Sequence, residues 1–246
     1  MKWRSLVFLG AILQASPALA GLPKSCLDIH LQNPPPWWYV ADGEYTIEPR
    51  PGTVFSVYCH GMNGWAPADY LTLPNNGGDL NFAQYTAGGS APGTSVRTSF
   101  TKVRIDPNTL LVDIGDLTFA TSTGAVDHGN TGTSWIFSAP FGVALDCKGA
   151  YSQDGIANID LTGTPFKVEA TLFAHGSAAS GSVTTDGETF VVPPNELPGI
   201  VSGKVLTVHG GGGCGSVGPQ GFNSLHRWWL TPQTGMLALQ LRYVGQ

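Results

Sequence analysis

DGEYTIEPRPGTVFSVYCHGM, residues 42–62, reads as two strands and the turn between them. Glu44 to Ile47 alternates polar and apolar residues, Pro49 and Pro51-Gly52 interrupt it, and Val54 to Cys59 resumes the alternation. Phe55, Val57 and Cys59 share one face of the second strand, and Val54, Ser56 and Tyr58 share the other. A cysteine on an apolar strand face calls for a partner, and Cys26 lies just upstream.

The stretches on either side follow the same pattern. Ser25 to Gln32 fits one or two helical turns with Ser25 as a cap, ended by Asn33-Pro34-Pro35-Pro36. Tyr70 to Leu73 makes a short strand, and Asn75-Asn76-Gly77-Gly78 turns the chain. The Gly/Ser/Thr/Ala-rich run from Asn81 to Arg97 reads as a long surface loop. Ser99 to Asp106 alternates, Pro107-Asn108-Thr109 turns, and Leu111 to Phe119 returns as one or two strands. Ile159 and Leu161, then Phe166 and Val168, form a comparable hairpin around Thr162 to Pro165. Thr189 to Val192, Val205 to Val208 and Leu237 to Tyr243 supply further strands, and no long helix is expected. The fold expected is all-β: a single compact domain of antiparallel hairpins, sandwich- or barrel-like, with a short N-terminal helix and disulfide bonds.

Composition agrees with that class. Gly 33 and Pro 18 against 12% charged residues suit many short strands joined by tight turns. The formal charge of −5, without a basic patch or Lys/Arg run, provides no footprint for nucleic acid or an anionic membrane. Residues 1–20 read as a signal peptide: Lys2 and Arg4, an apolar run from Leu6 to Leu13, then Ala18-Leu19-Ala20 before Gly21. That run is far shorter than the roughly 20 residues needed to span a bilayer. The expectation is a secreted or periplasmic chain with no integral membrane segment after cleavage.

The four cysteines, Cys26, Cys59, Cys147 and Cys214, all follow the expected cleavage site, and an even number in an exported chain reads as two disulfides. Three pairings satisfy the count, and Cys26 with Cys59 and Cys147 with Cys214 is the one expected. Trp37, Trp38 and Tyr39 follow the prolines directly and are candidate ligand-binding aromatics, suited to a sugar or a collagen-like peptide, although rings in such a place commonly cap a core.

No standard catalytic pattern is present. H-E-x-x-H and G-x-S-x-G do not occur, and the six histidines are scattered singly. Asp28 with His30 and His60, or His209 with Cys214, have the residue types for a metal but not the spacing of a standard site. Gly213-x-Gly215-x-x-Gly218 matches the dinucleotide fingerprint literally, yet Pro219 and Gly221 stand where a helix must start. Asp113 and Asp116, and Asp154, Asp160 and Glu169, read as outward acids of antiparallel strands. Asp127-His128-Gly129-Asn130 reads as a solvated turn. No catalytic, cofactor-binding or metal residue is assigned.

Several segments in order carry a resemblance. Pro23-x-Ser25-Cys26, Asp42-Gly43-Glu44-Tyr45-Thr46-Ile47, Val57-Tyr58-Cys59-x-Gly61-Met62, Tyr70-Leu71-Thr72-Leu73, Asn81-Phe82 and Ser99-Phe100-x-Lys102-Val103-Arg104-Ile105-Asp106 are similar to the GON domain. So are Asp116-Leu117-x-Phe119-Ala120 and Asn158-x-Asp160-Leu161-x-Gly163-Thr164. That domain is the C-terminal module of some ADAMTS-type secreted zinc metalloproteases. The resemblance implies a GON-like domain over residues 21–221, followed by an extension, 222–246, that ends in a strand. Vertebrate members carry more cysteines in the middle and near the end, where this chain keeps Cys147 and the run Gly210 to Gly215. The protease domain to which the module is normally attached is not in this sequence. Zinc therefore enters only by family association. The resemblance implies a non-catalytic extracellular recognition or adhesion module whose partner is an extracellular glycan or protein. The alternative is a zinc-dependent metalloendopeptidase or a protease-associated activity.

Overall fold

The computed structural model describes residues 21–32, 40–129, 132–149, 152–175, 180–192, 200–219 and 238–245. The expected signal peptide and the aromatic triplet Trp37, Trp38 and Tyr39 lie outside the described residues. The rest forms one short helix and eighteen strands.

Helix α1 (Cys26–Gln32) starts where Ser25 Oγ accepts the Asp28 N–H at 3.1 Å, an N-cap contact as the sequence suggests. Strands β1 (Gly43–Arg50) and β2 (Thr53–His60) are the hairpin of the opening stretch. Pro49 does not interrupt β1; it sits at the irregularity between Ile47 and Arg50, a position where a missing N–H costs no ladder bond. Next come β3 (Ala68–Thr72), β6 (Lys102–Asp106), β7 (Leu111–Asp113) and the C-terminal β18 (Ala238–Tyr243), so one antiparallel sheet runs β1-β2-β3-β6-β7-β18. The last strand is thus interior to the fold. Its other edge pairs with the start of β12 (Phe166–His175), which also pairs with β15 (Ile200–Gly203).

The second sheet is built on β4 (Phe82–Thr86) and β5 (Gly93–Phe100). Outward from β5 lie β8 (Ala120–Asp127) and the short edge strand β9 (Trp135–Ile136). On its other side β4 pairs parallel with β10 (Ala144–Asp146) and antiparallel with β11 (Ile156–Asp160). Strands β13 (Gly181–Thr185), β14 (Glu188–Val192), β16 (Val205–His209) and β17 (Gly215–Pro219) complete it. The C-terminal end of β12 joins β17, so β12 passes between the two sheets. The architecture is sandwich-like rather than a closed barrel, with one continuous apolar cluster.

Three sequence expectations are corrected. Residues 81–97 are not a long loop: they hold β4, the tight connection through Gly88 and Gly89, and half of β5. Leu111 to Phe119 is a strand only as far as Asp113, and the chain then crosses to β8. Ser99 to Asp106 is two strands broken at Thr101, which lets the chain leave one sheet for the other. The missed strands β10 and β17 lie centrally and are buried on both faces, so no polar alternation marks them. The glycines there are close-approach positions. A Cβ on Gly155 would stand 2.2 Å from the Leu145 carbonyl oxygen, and one on Gly215 would stand 2.3 Å from that of Gly211. The dinucleotide-like spacing accordingly falls on β17, an extended strand.

Two covalent and one polar anchor hold the layers. Cys26 is bonded to Cys59 and Cys147 to Cys214. The first closes a separation of 33 residues and pins α1 to β2, a constraint of about 3–4 kcal/mol in the chain-entropy view. The polar anchor is Asn81, fully buried at φ 47°. Its Nδ2 donates to the carbonyls of Asn75 (2.6 Å) and Asp160 (2.8 Å), its Oδ1 accepts from the Asp160 N–H (2.8 Å), and its own N–H donates to Asn158 Oδ1 (3.0 Å). Asparagine tolerates the left-handed backbone and offers donor and acceptor together.

Replacing Asn81 by Ala strands three buried backbone groups and adds backbone strain. We expect Asn81→Ala to lose about 3 kcal/mol or more in denaturant unfolding, whereas a loss below about 1 kcal/mol would contradict this role. A second expectation concerns Asp69, buried under α1, whose Oδ1 accepts the Cys26 N–H at 2.8 Å. Burial pushes its carboxyl up to about 6, against the lowering pull of that N–H. The fold then keeps a proton that the unfolded chain loses from about pH 4, so the stabilisation is full below pH 4 and lost as pH rises to about 6. Asp69→Asn retains the acceptor without the charge. It should flatten this part of the pH–stability curve and raise stability at pH 7 by on the order of 2 kcal/mol; an unchanged curve would contradict it.

Candidate functional site

Two places bring chemically useful side chains together. The first is the outer face of the first sheet. Pairing aligns Glu44, Tyr58, Tyr70 and Arg104 across β1, β2, β3 and β6, and the segment after β7 folds Phe119 over them. Phe119 meets Tyr70 edge to face at 4.8 Å and Tyr58 at 5.4 Å, while the Lys102 ammonium stands 4.6 Å from the Tyr58 ring centre. Tyr70 donates to Asp116 at 3.1 Å, and Arg104 reaches the same carboxylate at 3.6 Å.

His60 borders this cluster, with Nδ1 2.8 Å from Asp42 Oδ2, and the Met62 N–H donates to Asp42 Oδ1 at 2.7 Å. Burial pushes the Asp42 carboxyl up, but hydrogen bonds from the Gly61 and Met62 backbone and from His60 outweigh it and hold the carboxyl below its ordinary value. A carboxylate orienting an imidazole is also the arrangement of a general base. Here it joins the two ends of the opening stretch: the start of β1 and the turn after β2 close on each other through Asp42. Its partners are backbone and ring groups that fasten this edge of the sheet.

The second place is a cleft of about 700 Å³ at the end of the sandwich where the sheets part. One wall is the segment Trp135 to Pro140, running from edge strand β9 towards the first sheet, where the Phe141 N–H donates to the Ile114 carbonyl at 2.9 Å. The other wall is Gly115 and Leu117, and Tyr85 of β4, 1% exposed, lines the space between. Burial pushes the Tyr85 phenol up, so it remains a neutral hydroxyl. Trp135 and Phe137 stay 44% and 63% exposed at the rim.

The rim is fixed by buried polar contacts. Asp127, buried at the end of β8, accepts the Gly132 N–H at Oδ2 (2.6 Å) and the Ser134 N–H at Oδ1 (3.3 Å). Thr98 Oγ1 accepts the Ala139 N–H at 2.8 Å. The Trp135 indole N–H donates to the Gly132 carbonyl at 3.2 Å. A Cβ on Gly93, at φ +117°, would meet the Trp135 ring at 3.1 Å, so the ring lies close over that glycine.

The metal candidates read from sequence are not assembled. Asp28 accepts from the Lys24 N–H and Gln32 Nε2, His30 Nδ1 lies 3.1 Å from the Met62 carbonyl, and His60 is held by Asp42. His209 Nδ1 is 3.1 Å from the Gln153 carbonyl, and Cys214 is in a disulfide. Among the described residues, donor atoms do converge within 4.8 Å in two groups, Cys26 with Cys59 and Asp69, and His128 with Cys147 and Cys214. In both groups the sulfurs are bonded to each other, and a disulfide sulfur is not the thiolate that zinc requires. These residues do not fit a zinc site as they stand. The acids have structural partners: Asp113 and Asp160 accept nearby turn amides, Asp154 pairs with Lys148 at 2.7 Å, and Glu169 lies 3.6 Å from Arg242.

Sequence reading missed the cleft. Its signal was Trp135-Ile136-Phe137, two rings in alternation in a run without charge, a pattern also expected of any half-buried strand. Among the described residues no helix is long and apolar enough to cross a membrane. No curated protein and no solved structure matches the chain. The family comparison does: residues 23–90 match the model of the GON domain, ending before the segments from Ser99 onward that also resemble it. The matched portion runs from the start of α1 through β4 and holds Asp42, His60, Asn81 and Tyr85.

Proposed function

We propose that this chain is an exported, disulfide-stabilised recognition module that holds an extracellular ligand in the cleft at the end of its sandwich and does not transform it. One observation carries the reading: two large aromatic rings are exposed on a rim whose backbone is held by Asp127, Thr98 and Ile114. Exposing rings costs free energy in water, and rigid rings beside a preformed cleft lose little entropy when a ligand covers them. The volume lies within the range of small-ligand sites. Two disulfides suit an oxidising compartment, which supports export. The outward His60 and Asp42 unit is accounted for by its link across the hairpin.

The metalloendopeptidase alternative requires thiolates or imidazoles gathered round an ion, and the convergent sulfurs here are paired with each other. Purified protein should hold no stoichiometric zinc and should cleave no peptide in a chelator-sensitive manner. On an array of extracellular-matrix glycans and peptides, Trp135→Ala should weaken whatever binding the unsubstituted protein shows by about tenfold or more. Chelator-sensitive cleavage accompanied by one bound zinc would overturn the reading, as would array binding indifferent to Trp135.

A further inference from the structure

We infer that the cleft takes a neutral saccharide; this rests on the recognition reading and specifies its ligand. Three features of the cleft bear on ligand chemistry. The first is charge. Among the described residues, the lining combines apolar and aromatic side chains with hydroxyls from Thr133, Ser134 and Ser138, and no ionised group is among them. An anionic ligand such as a sulfated glycan needs cations to replace its hydration, and a cationic ligand needs carboxylates. The nearest fixed charge in sequence, Asp116, is turned to Tyr70 and Arg104.

The second feature is the backbone. An extended peptide that adds to a sheet edge draws its affinity from main-chain hydrogen bonds. Three of the donors flanking β9 are committed inward: Ser134 N–H to Asp127, Ala139 N–H to Thr98 and Phe141 N–H to Ile114. The Ser134 carbonyl accepts from the His128 N–H at 3.0 Å. A strand-forming peptide is left only the two-residue edge of β9 to pair with, so peptide addition is disfavoured.

The third feature is the rings. Trp135 is fixed by its own indole hydrogen bond and by its close seat over Gly93, and Phe137 beside it is the more exposed of the two. Faces of this kind stack against the C–H face of a pyranose, while serine and threonine hydroxyls, each able to donate and accept, match its hydroxyl edge. Apolar faces, neutral hydroxyls and the absence of charge from the described lining together describe the complement of an uncharged sugar ring.

The test is a fluorescence and calorimetric titration of the full-length secreted protein with three neutral hexasaccharides, built of glucose, mannose and N-acetylglucosamine. A heparin hexasaccharide and a proline-rich collagen-like peptide serve as the opposing probes. At least one neutral hexasaccharide should bind, with affinity changed less than about twofold by raising NaCl from roughly 0.05 to 0.5 M. Phe137→Ala should weaken it about tenfold or more, and Leu117→Trp, which fills the cleft from the opposite wall, should do the same; circular dichroism checks that both variants fold. Binding of the heparin or peptide probe in place of the neutral sugars, lost on Phe137→Ala, would overturn the saccharide class and leave the recognition cleft standing. Failure of all five probes would overturn the saccharide class. Neutral-sugar binding that neither variant alters would overturn the assignment to this cleft.

Discussion

Asn81 enters β4 in a left-handed conformation, fully buried, and its side chain gives two hydrogen bonds and takes one from backbone groups on neighbouring segments. With Asn158 holding the Asn81 N–H, this fixes β4 against β11 before β4 passes on to pair with β10. Much of the second sheet is placed from that strand. β5 is set by its ladder with β4, β8 and β9 follow from β5, and Tyr85 and Thr98 are delivered to the cleft and its rim. A buried polar node of this sort stabilises only when every member is satisfied, and here each polar atom of the Asn81 side chain is.

The outer sheet was legible because one of its faces is wet. Ile47, Phe55, Val57, Val103 and Ile105 alternate with polar neighbours, and the hairpin of residues 42–62 could be read directly from that period. The middle of the second sheet was not legible for the opposite reason. Strands β10 and β17 are covered on both faces, and Gly215 and Gly218 of β17 mark close contact rather than turns, so composition suggested loops where strands cross closely. Residues 81–97 show the same effect: Gly88 and Gly89 let the connection between β4 and β5 pass close to Cys147. The number of disulfides follows from the cysteine count, which left three pairings open, while Asn81 as a node could not be seen without knowing that Asn75, Asn158 and Asp160 meet it.

The site was harder still. The aromatic triplet Trp37, Trp38 and Tyr39 drew notice because three rings stand together in sequence, whereas Trp135 and Phe137 are joined to Leu117 and Tyr85 only by the fold. The acids that read as outward groups of antiparallel strands accept turn amides or form ion pairs, and Asp160 among them is buried. Asp127, read from sequence as part of a solvated turn, is instead buried and anchors the rim through Gly132 and Ser134. His60 and Asp42 sit at the two ends of the most recognisable stretch of the chain and tie it shut, within the residues that match the GON-domain model.

The central claim is that the cleft is formed and its rim rigid before any ligand arrives. Amide hydrogen exchange of the ligand-free protein tests it most directly, read at Gly132, Ser134, Ala139 and Phe141, whose N–H groups donate to Asp127, Asp127, Thr98 and Ile114. The account predicts exchange slowed by about a hundredfold or more relative to an unstructured peptide at all four sites. Exchange at unstructured-peptide rates across 132–141 would contradict it.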